Sequence, residues 1–318
     1  MSRFKQIDLS GVHAYSATSR PSKVKTDEVA TPPRAGMTVR ELLDSLPKIL
    51  KAEDLKKVAR AVVDAKHAKK PVIAMIGGHV IKTGCAPILA DLVLKGYITH
   101  LGSNGSAAIH DTELARFGHT SEDVAAQLED GSFGMAGDTA QLVNDAAKQA
   151  MEKGDGFGET VGRLLVEENG PYLERALLAT CHKAGIPYTL HVAIGTDIVH
   201  QHPSAEGSAI GDASYRDFKI LAATVANLGH GGVVLNFGSA VIMPEVLLKA
   251  LAVARNLGND VVDFTTANFD MIQHYRPWEN VVRRPVLGGG QGFQITGHHE
   301  IMIPLFAAAI HEEEASRA

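Results

Sequence analysis

The strongest signal along the chain is a repeated rhythm: a short continuous apolar run, a turn of small residues, then an amphipathic stretch. Pro71-Val72-Ile73-Ala74-Met75-Ile76 is apolar without alternation, as expected of a strand covered on both faces, and ends in Gly77-Gly78-His79. A helical pattern follows over Pro87 to Lys95. The rhythm returns at Ile98 to Leu101 before Gly102-Ser103-Asn104-Gly105-Ser106, and at Pro187 to Ile194 before Gly195-Thr196-Asp197. It returns again at Val233 to Phe237 before Gly238-Ser239, and at Val261 to Phe264 before Thr265-Thr266. Strands alternating with helices predict an α/β fold with a doubly wound parallel sheet, Rossmann-like in class.

Upstream, Thr38-Val39-Arg40-Glu41 has the spacing of a capping box, in which the Glu side chain returns to the cap N–H. Leu42, Leu43, Leu46, Ile49 and Leu50 form the apolar stripe of that helix, and a second helix is expected from Ala52 to Ala68. Residues 1–36 are rich in Ser, Thr, Lys and Pro and read as an N-terminal arm; residues 37–318 read as a single α/β domain. The stretch from Thr120 to Gly170 is mainly helical, with one helix near Gln141 to Glu152.

Composition narrows the function. With 45 % hydrophobic and 21 % charged residues the chain is globular in type. A formal net charge of −5 offers no positive field for a phosphate backbone, so no nucleic-acid partner is expected. No apolar run is long enough for a membrane helix, and the start of the chain lacks the apolar core of a secretory signal. Two cysteines, Cys85 and Cys181, cannot form a disulfide framework and read as buried core thiols, which suits a cytoplasmic location.

In open parallel sheets ligands bind beyond the carboxyl ends of the strands. Gly77-Gly78 and Gly102 to Ser106 would let backbone N–H groups approach a phosphate, although neither fits the Gly-x-Gly-x-x-Gly fingerprint. Gly288-Gly289-Gly290-Gln291-Gly292 reads as a flexible loop or lid. The chain has 15 histidines. In an extended segment His200 and His202 would face one side, near His191 and Asp197, and would share a metal given a third ligand; no zinc signature accompanies them. Carboxylates expected in loops, namely Asp111, Glu113, Glu206, Asp212, Asp270 and Glu279, would form an anionic pocket for an amine if gathered at the sheet edge.

Over roughly residues 70–310 the chain resembles the deoxyhypusine synthase family. Glu206-Gly207-Ser208 with Gly211-Asp212 is similar to its Asp-Gly-Ser-Leu-Gly-Asp segment, and Arg276-Pro277-Trp278-Glu279-Asn280-Val281 to its Arg-Pro-Asp-Glu-Ala-Val. Gly77-Gly78-His79, Ser103-Asn104-Gly105, Gly238-Ser239, Thr265-Thr266-Ala267 and the altered His298-His299 stand where that family has its NAD segments. The resemblance implies NAD as cofactor, a small amine such as a polyamine (spermidine) as substrate, and a homotetramer. It implies cofactor contacts at Gly77, Gly78, His79, Ser103, Asn104, Gly105, Gly238, Ser239, Thr266, Ala267, His298 and His299. Glu206, Asp212 and Glu279 would hold the amine, and His110 or His200 would handle the proton.

One departure is specific. The family lysine that forms an imine falls on Pro285 here, and arginine cannot replace it because its guanidinium stays protonated. The expected activity is therefore NAD-dependent oxidation of a small amine, with any aminoalkyl transfer going to a free amine acceptor. The alternatives are a metal-dependent enzyme using the histidine-rich loops and a ligand-binding homologue without chemistry.

Overall fold

The computed structural model describes residues 2–317. Six parallel strands form one sheet: β1 (Val72–Ile76), β2 (His100–Asn104), β3 (Tyr188–His191), β4 (Val233–Phe237), β5 (Phe264–Asp270) and β6 (Gly290–Thr296), in the order β3-β2-β1-β4-β5-β6. This is the doubly wound order of a Rossmann fold. The helices are α1 (Val39–Ser45), α2 (Leu50–His67), α3 (Gly78–Lys82), α4 (Ala86–Leu94), α5 (Gly105–Phe117), α6 (Val124–Asp130) and α7 (Gly137–Lys153). They continue with α8 (Phe157–Glu168), α9 (Leu177–Ala184), α10 (Gly207–Val225), α11 (Ile242–Asn256), α12 (Tyr275–Pro277) and α13 (His299–Ala315). A π-helical turn, Trp278–Arg283, follows α12.

The unbroken apolar runs are explained by burial on both faces. Val72, Ala74 and Ile76 of β1 join Val233, Leu235 and Phe237 of β4 in a core closed by α2 and α13, while Ile73, Met75 and Val234 face α10 and α11. Phe237, Phe269 and Phe306 pack ring to ring, with centroids 4.8 to 6.2 Å apart. The capping box at Thr38 forms as expected: Thr38 Oγ1 accepts from the Glu41 N–H, and Glu41 accepts from the Thr38 N–H. Cys85 and Cys181 are both buried free thiols. Most of residues 2–30 lie exposed, tied to the body by Thr31 N–H to Ser45 O and Lys48 N–H to Glu28 O.

Three expectations are corrected. Residues 265–267 are not a loop after a strand; they lie inside β5, which begins at Phe264 and runs to Asp270. Among its polar residues, Asn268 passes unnoticed as strand because it is satisfied sideways. The Asn236 side-chain amide donates to Asn268, and the Asn268 amide donates to Gln294, across three strands in register. The glycine run is likewise not a lid: Gly290 begins β6, paired with Phe264. A β-carbon on Gly290 would strike the Phe264 backbone, and one on Gly292 would strike the Val282 carbonyl. These glycines allow close packing of an edge strand. Asp111, expected in a loop, is on α5 and fully buried, accepting the Leu177 and Leu178 N–H groups at the start of α9.

Candidate functional site

The strand order reverses between β1 and β4, which opens a crevice at their carboxyl ends. Its floor is backbone. The Gly77 N–H donates to Phe237 O and the Gly238 N–H to Phe269 O, both at 3.0 Å, so the ladder persists one residue past each strand. A β-carbon on Gly77 would come within 2.5 Å of Gly238 O. Gly238 has φ +67°, and a β-carbon there would strike the His299 ring. Glycine is required at both positions by this approach.

His299, the first residue of α13, closes the crevice from the β6 side. Its Nε2 lies 3.2 Å from Phe269 O, its ring centroid 5.7 Å from that of exposed His79, and its buried Nδ1 has no partner. Burial pulls its pKa below the ordinary histidine value.

Beside the first turn lies a cavity of about 730 Å³, bounded by α5, the α6 excursion and residues 196–198. Ser106 and His110 separate it from the crevice: the β-carbon direction of Gly78 points at Ser106 Oγ and His110 Cδ2. His110 and Glu113 stand three residues apart on α5, on one helix face. Thr120 links them, its hydroxyl donating to Glu113 Oε2 and lying 2.7 Å from His110 Nδ1. Thr139 donates to the other Glu113 oxygen at 3.1 Å. Because an ionised carboxylate only accepts, the Thr120 proton points to Glu113 and its oxygen accepts from His110 Nδ1–H. That fixes the tautomer and leaves Nε2 as a free lone pair. Burial, with the charge of Lys82, lowers the His110 pKa to about 4, so the ring is neutral at pH 7.

A second polar group faces the same cavity. The Asp197 side chain is only 6 % exposed; its buried Oδ2 makes no hydrogen bond, and the nearest cationic group is His200 Nε2 at 3.9 Å. It rests against Gly105 at the start of α5, where a β-carbon would collide with the carboxylate. Burial raises its pKa to about 6, leaving it mostly ionised at neutral pH.

The other expected residues are dispersed. Ser103 is buried, donating to Asn104 O and accepting from Tyr188 OH; Asn104 caps α5, accepting from the Ala107 N–H. Ser239 Oγ accepts from the Met243 N–H at the start of α11. Thr266 and Ala267 are fully buried mid-strand, with no surface to offer a cofactor. Exposed His298 precedes α13, with Nδ1 3.8 Å from Glu300. Exposed Glu206 accepts from Ser208, and Asp212 pairs with Arg216 at 2.8 Å. Glu279, 9 % exposed, is clamped by Arg283 and Arg284, and Arg283 draws its pKa down. Pro285 is buried in a short helical turn, its carbonyl accepting from Arg255.

The histidines proposed for a metal have other work. His200 Nδ1 accepts the Gly195 and Asp197 N–H groups, and His202 Nε2 donates to Gly134 O. Among the described residues no three His, Cys, Asp or Glu side chains converge as a metal site. Lys82, Thr120 and Thr139 were absent from the expected set, and Asp197 was named only beside the candidate metal histidines; the His110–Glu113 spacing was the available signal for the first partner.

Comparison with known proteins agrees on the fold. A family model described as arginine dihydrolase ArgZ-like, C-terminal, Rossmann fold matches residues 56–198, less than half of the chain. No curated protein matches. Among solved structures, a protein of Methanococcus maripaludis S2 described as LOR/SDH superposes with a TM-score of 0.52 at 17 % identity, covering 89 % of this chain and 74 % of that one. AgrE, crystallised with ornithine and NAD+, gives 0.53 at 15 % identity over 83 % of this chain, which spans 33 % of the AgrE chain. A protein of Entamoeba histolytica described as a deoxyhypusine synthase reaches only 0.49 at 12 % identity, covering 86 % of this chain and 93 % of that one. At these identities the likeness establishes the Rossmann fold and nothing finer.

Proposed function

We propose that this protein is an NAD-dependent enzyme acting on a small amine. The observation that carries the reading is His110: a neutral imidazole, oriented through Thr120 by Glu113, facing a cavity beside the crevice where the strand order reverses. AgrE, of the same fold, has been crystallised with ornithine and NAD+.

The crevice fits a dinucleotide in two respects. Gly77 and Gly238 present a floor without β-carbons, and His299 Nδ1 is a buried polar atom awaiting a partner. Gly78, His79, Gly238, Ser239 and His299 would hold the cofactor. Bound NAD supplies the hydride acceptor. His110 Nε2 receives the proton of the substrate ammonium, because its Nδ1 proton is already committed to Thr120. Glu113, held by two threonine hydroxyls, compensates the imidazolium that results. Asp197, against Gly105 at the start of α5, attracts the cationic end of the substrate. Pro285 leaves no imine-forming side chain at the family position, so an acceptor amine would attack the oxidised substrate directly.

The test is to mix intact protein with NAD and a panel of primary amines, polyamines and amino acids, following the absorbance of reduced nicotinamide. Amine-dependent reduction, lost in His110→Ala, is the expected result. NAD binding with no reduction by any amine would favour a ligand-binding protein without chemistry.

A further inference from the structure

We infer that residues 119–135 are a lid over the chamber beside α5, latched by Gln201 and His202, and that its closure sets the orientation of His110. The lid stands on geometry alone; its consequence for His110 rests on the reading of that residue as the base.

The segment encloses the chamber yet has little to hold it there. Glu122, Val124, Gln127 and Phe133 line the chamber together with His110 and Glu113 of α5. Between Phe117 and Asp138 Gly134 alone is buried, and Val124, Leu128 and Met135 stand well exposed. Helix α6 buries no residue, so no core packing fixes it in place. The chain passes through left-handed backbone at Gly118 on entering and at Gly134 on leaving, with φ +75° at each, and again at Ser121 with φ +71°. Between these turns the segment is braced within itself. Both Glu122 oxygens accept from the Gly134 N–H, and the Phe133 N–H donates to Gln127 O. A braced unit between a few turning residues moves as one piece.

Side chains tie this unit to the body. Gln201 Nε2 donates to Phe133 O at 3.1 Å, and His202 Nε2 donates to Gly134 O at 2.8 Å. A β-carbon on Gly134 would strike Gln201 Nε2 and Ile198, so glycine lets the latch close on the lid backbone. The tie on the entering side is Thr120, which donates to Glu113 and accepts from His110. Thr120 follows Gly118 and belongs to the lid. Swinging the lid about Gly118 withdraws the Thr120 hydroxyl and leaves His110 Nδ1 without its acceptor; closing restores both bonds. His110 is thus held in one tautomer only while the chamber is shut, which couples the state of the base to enclosure of the ligand.

The test is a distance measurement by double electron–electron resonance on the intact protein. Spin labels go on Leu128→Cys of α6 and Leu94→Cys of α4, both exposed, while Cys85 and Cys181 are buried. Gln201→Ala with His202→Ala should raise the ratio of a second, displaced distance population to the latched one at least about tenfold, the effect of two ordinary hydrogen bonds. In the same variant, nitrogen-resolved NMR should show His110 Nδ1 protonation falling in proportion to the displaced fraction, although neither substituted residue touches His110. Should the double variant fail to fold, Gln201→Ala alone, altering an exposed side chain, decides, with a ratio raised about fivefold. An unchanged distance distribution makes the segment a fixed wall and overturns the inference. A displaced population with an unchanged His110 tautomer overturns it as well, because the lid would then turn at Ser121 and leave Thr120 behind. No ligand enters the measurement, so absence of amine-dependent NAD reduction would remove the proposed activity and leave the lid standing.

Discussion

The carboxylate of Asp197 lies against the α-carbon of Gly105, filling the space a β-carbon would need at the first residue of α5. A loop after β3 and a helix after β2 therefore meet with no side chain between them. Gly105→Ala must push Asp197 away. We expect a stability loss of about 1–3 kcal/mol, the usual cost of overpacking, and at least tenfold weaker ligand binding in the cavity. Chemical denaturation and titration check both. Unchanged values would mean that Asp197 is not held there.

The His110–Thr120–Glu113 chain predicts a tautomer. In the wild type, nitrogen-resolved NMR should show Nδ1 protonated and Nε2 bare at pH 7. Thr120→Val removes the link and should give a mixture of tautomers. Turnover should fall by about 10- to 100-fold, the lower part of the range for acid–base groups, with KM little changed. A wild-type ring protonated at Nε2 would reverse the assignment.

His100 and His191 are fully buried, joined through Thr189, and burial presses both pKa values to about 3. The unfolded chain protonates histidine near ~6.5. Their contribution to stability is present above that value and is lost as pH falls toward 3, by about 1.4 kcal/mol per pH unit for each group. Asp217 and Asp111, raised to about 7 and about 6 by burial, run the other way. They take up protons in the folded state before the unfolded chain does, at about pH 3.9, and so restore stability over that interval. His100→Gln should therefore flatten the acid loss by about one proton, measured as denaturation midpoint against pH from about 6 to 4. An unchanged slope would show that His100 is protonated in the folded state.

Gly292→Ala tests the edge strand. A β-carbon there meets the Val282 carbonyl of the π-helical turn, so we expect a loss of about 1–3 kcal/mol in chemical denaturation. A mobile lid would tolerate the change within about 0.5 kcal/mol, as surface positions do.

The sequence revealed the strands whose cores are apolar throughout, β1 and β4 above all, and the turns that follow them. β5 was legible only in part because Thr265, Thr266 and Asn268 break the apolar run, and the satisfaction of Asn268 depends on Asn236 and Gln294 in other strands. β6 was hidden by Gly290 and Gly292, whose need is set by Phe264 and Val282. The site divides in the same way. His110 was expected at the site, whereas Thr120 reaches it only after the left-handed turn at Gly118, and Asp197 only because β3 lies beside β2. Glu279 has the right motif, but Arg283, at the end of the π-helical turn, and Arg284, just after it, already neutralise it.

The central claim is that a dinucleotide occupies the crevice between Gly77 and Gly238. The direct measurement is calorimetric titration of NAD into the intact wild-type protein and into Gly238→Ala and His299→Ala. The account predicts one site per chain in the wild type and at least tenfold weaker binding in both variants, because the first displaces the His299 ring and the second removes its free nitrogen. No NAD binding to the wild type, or equal affinity in all three proteins, would contradict it.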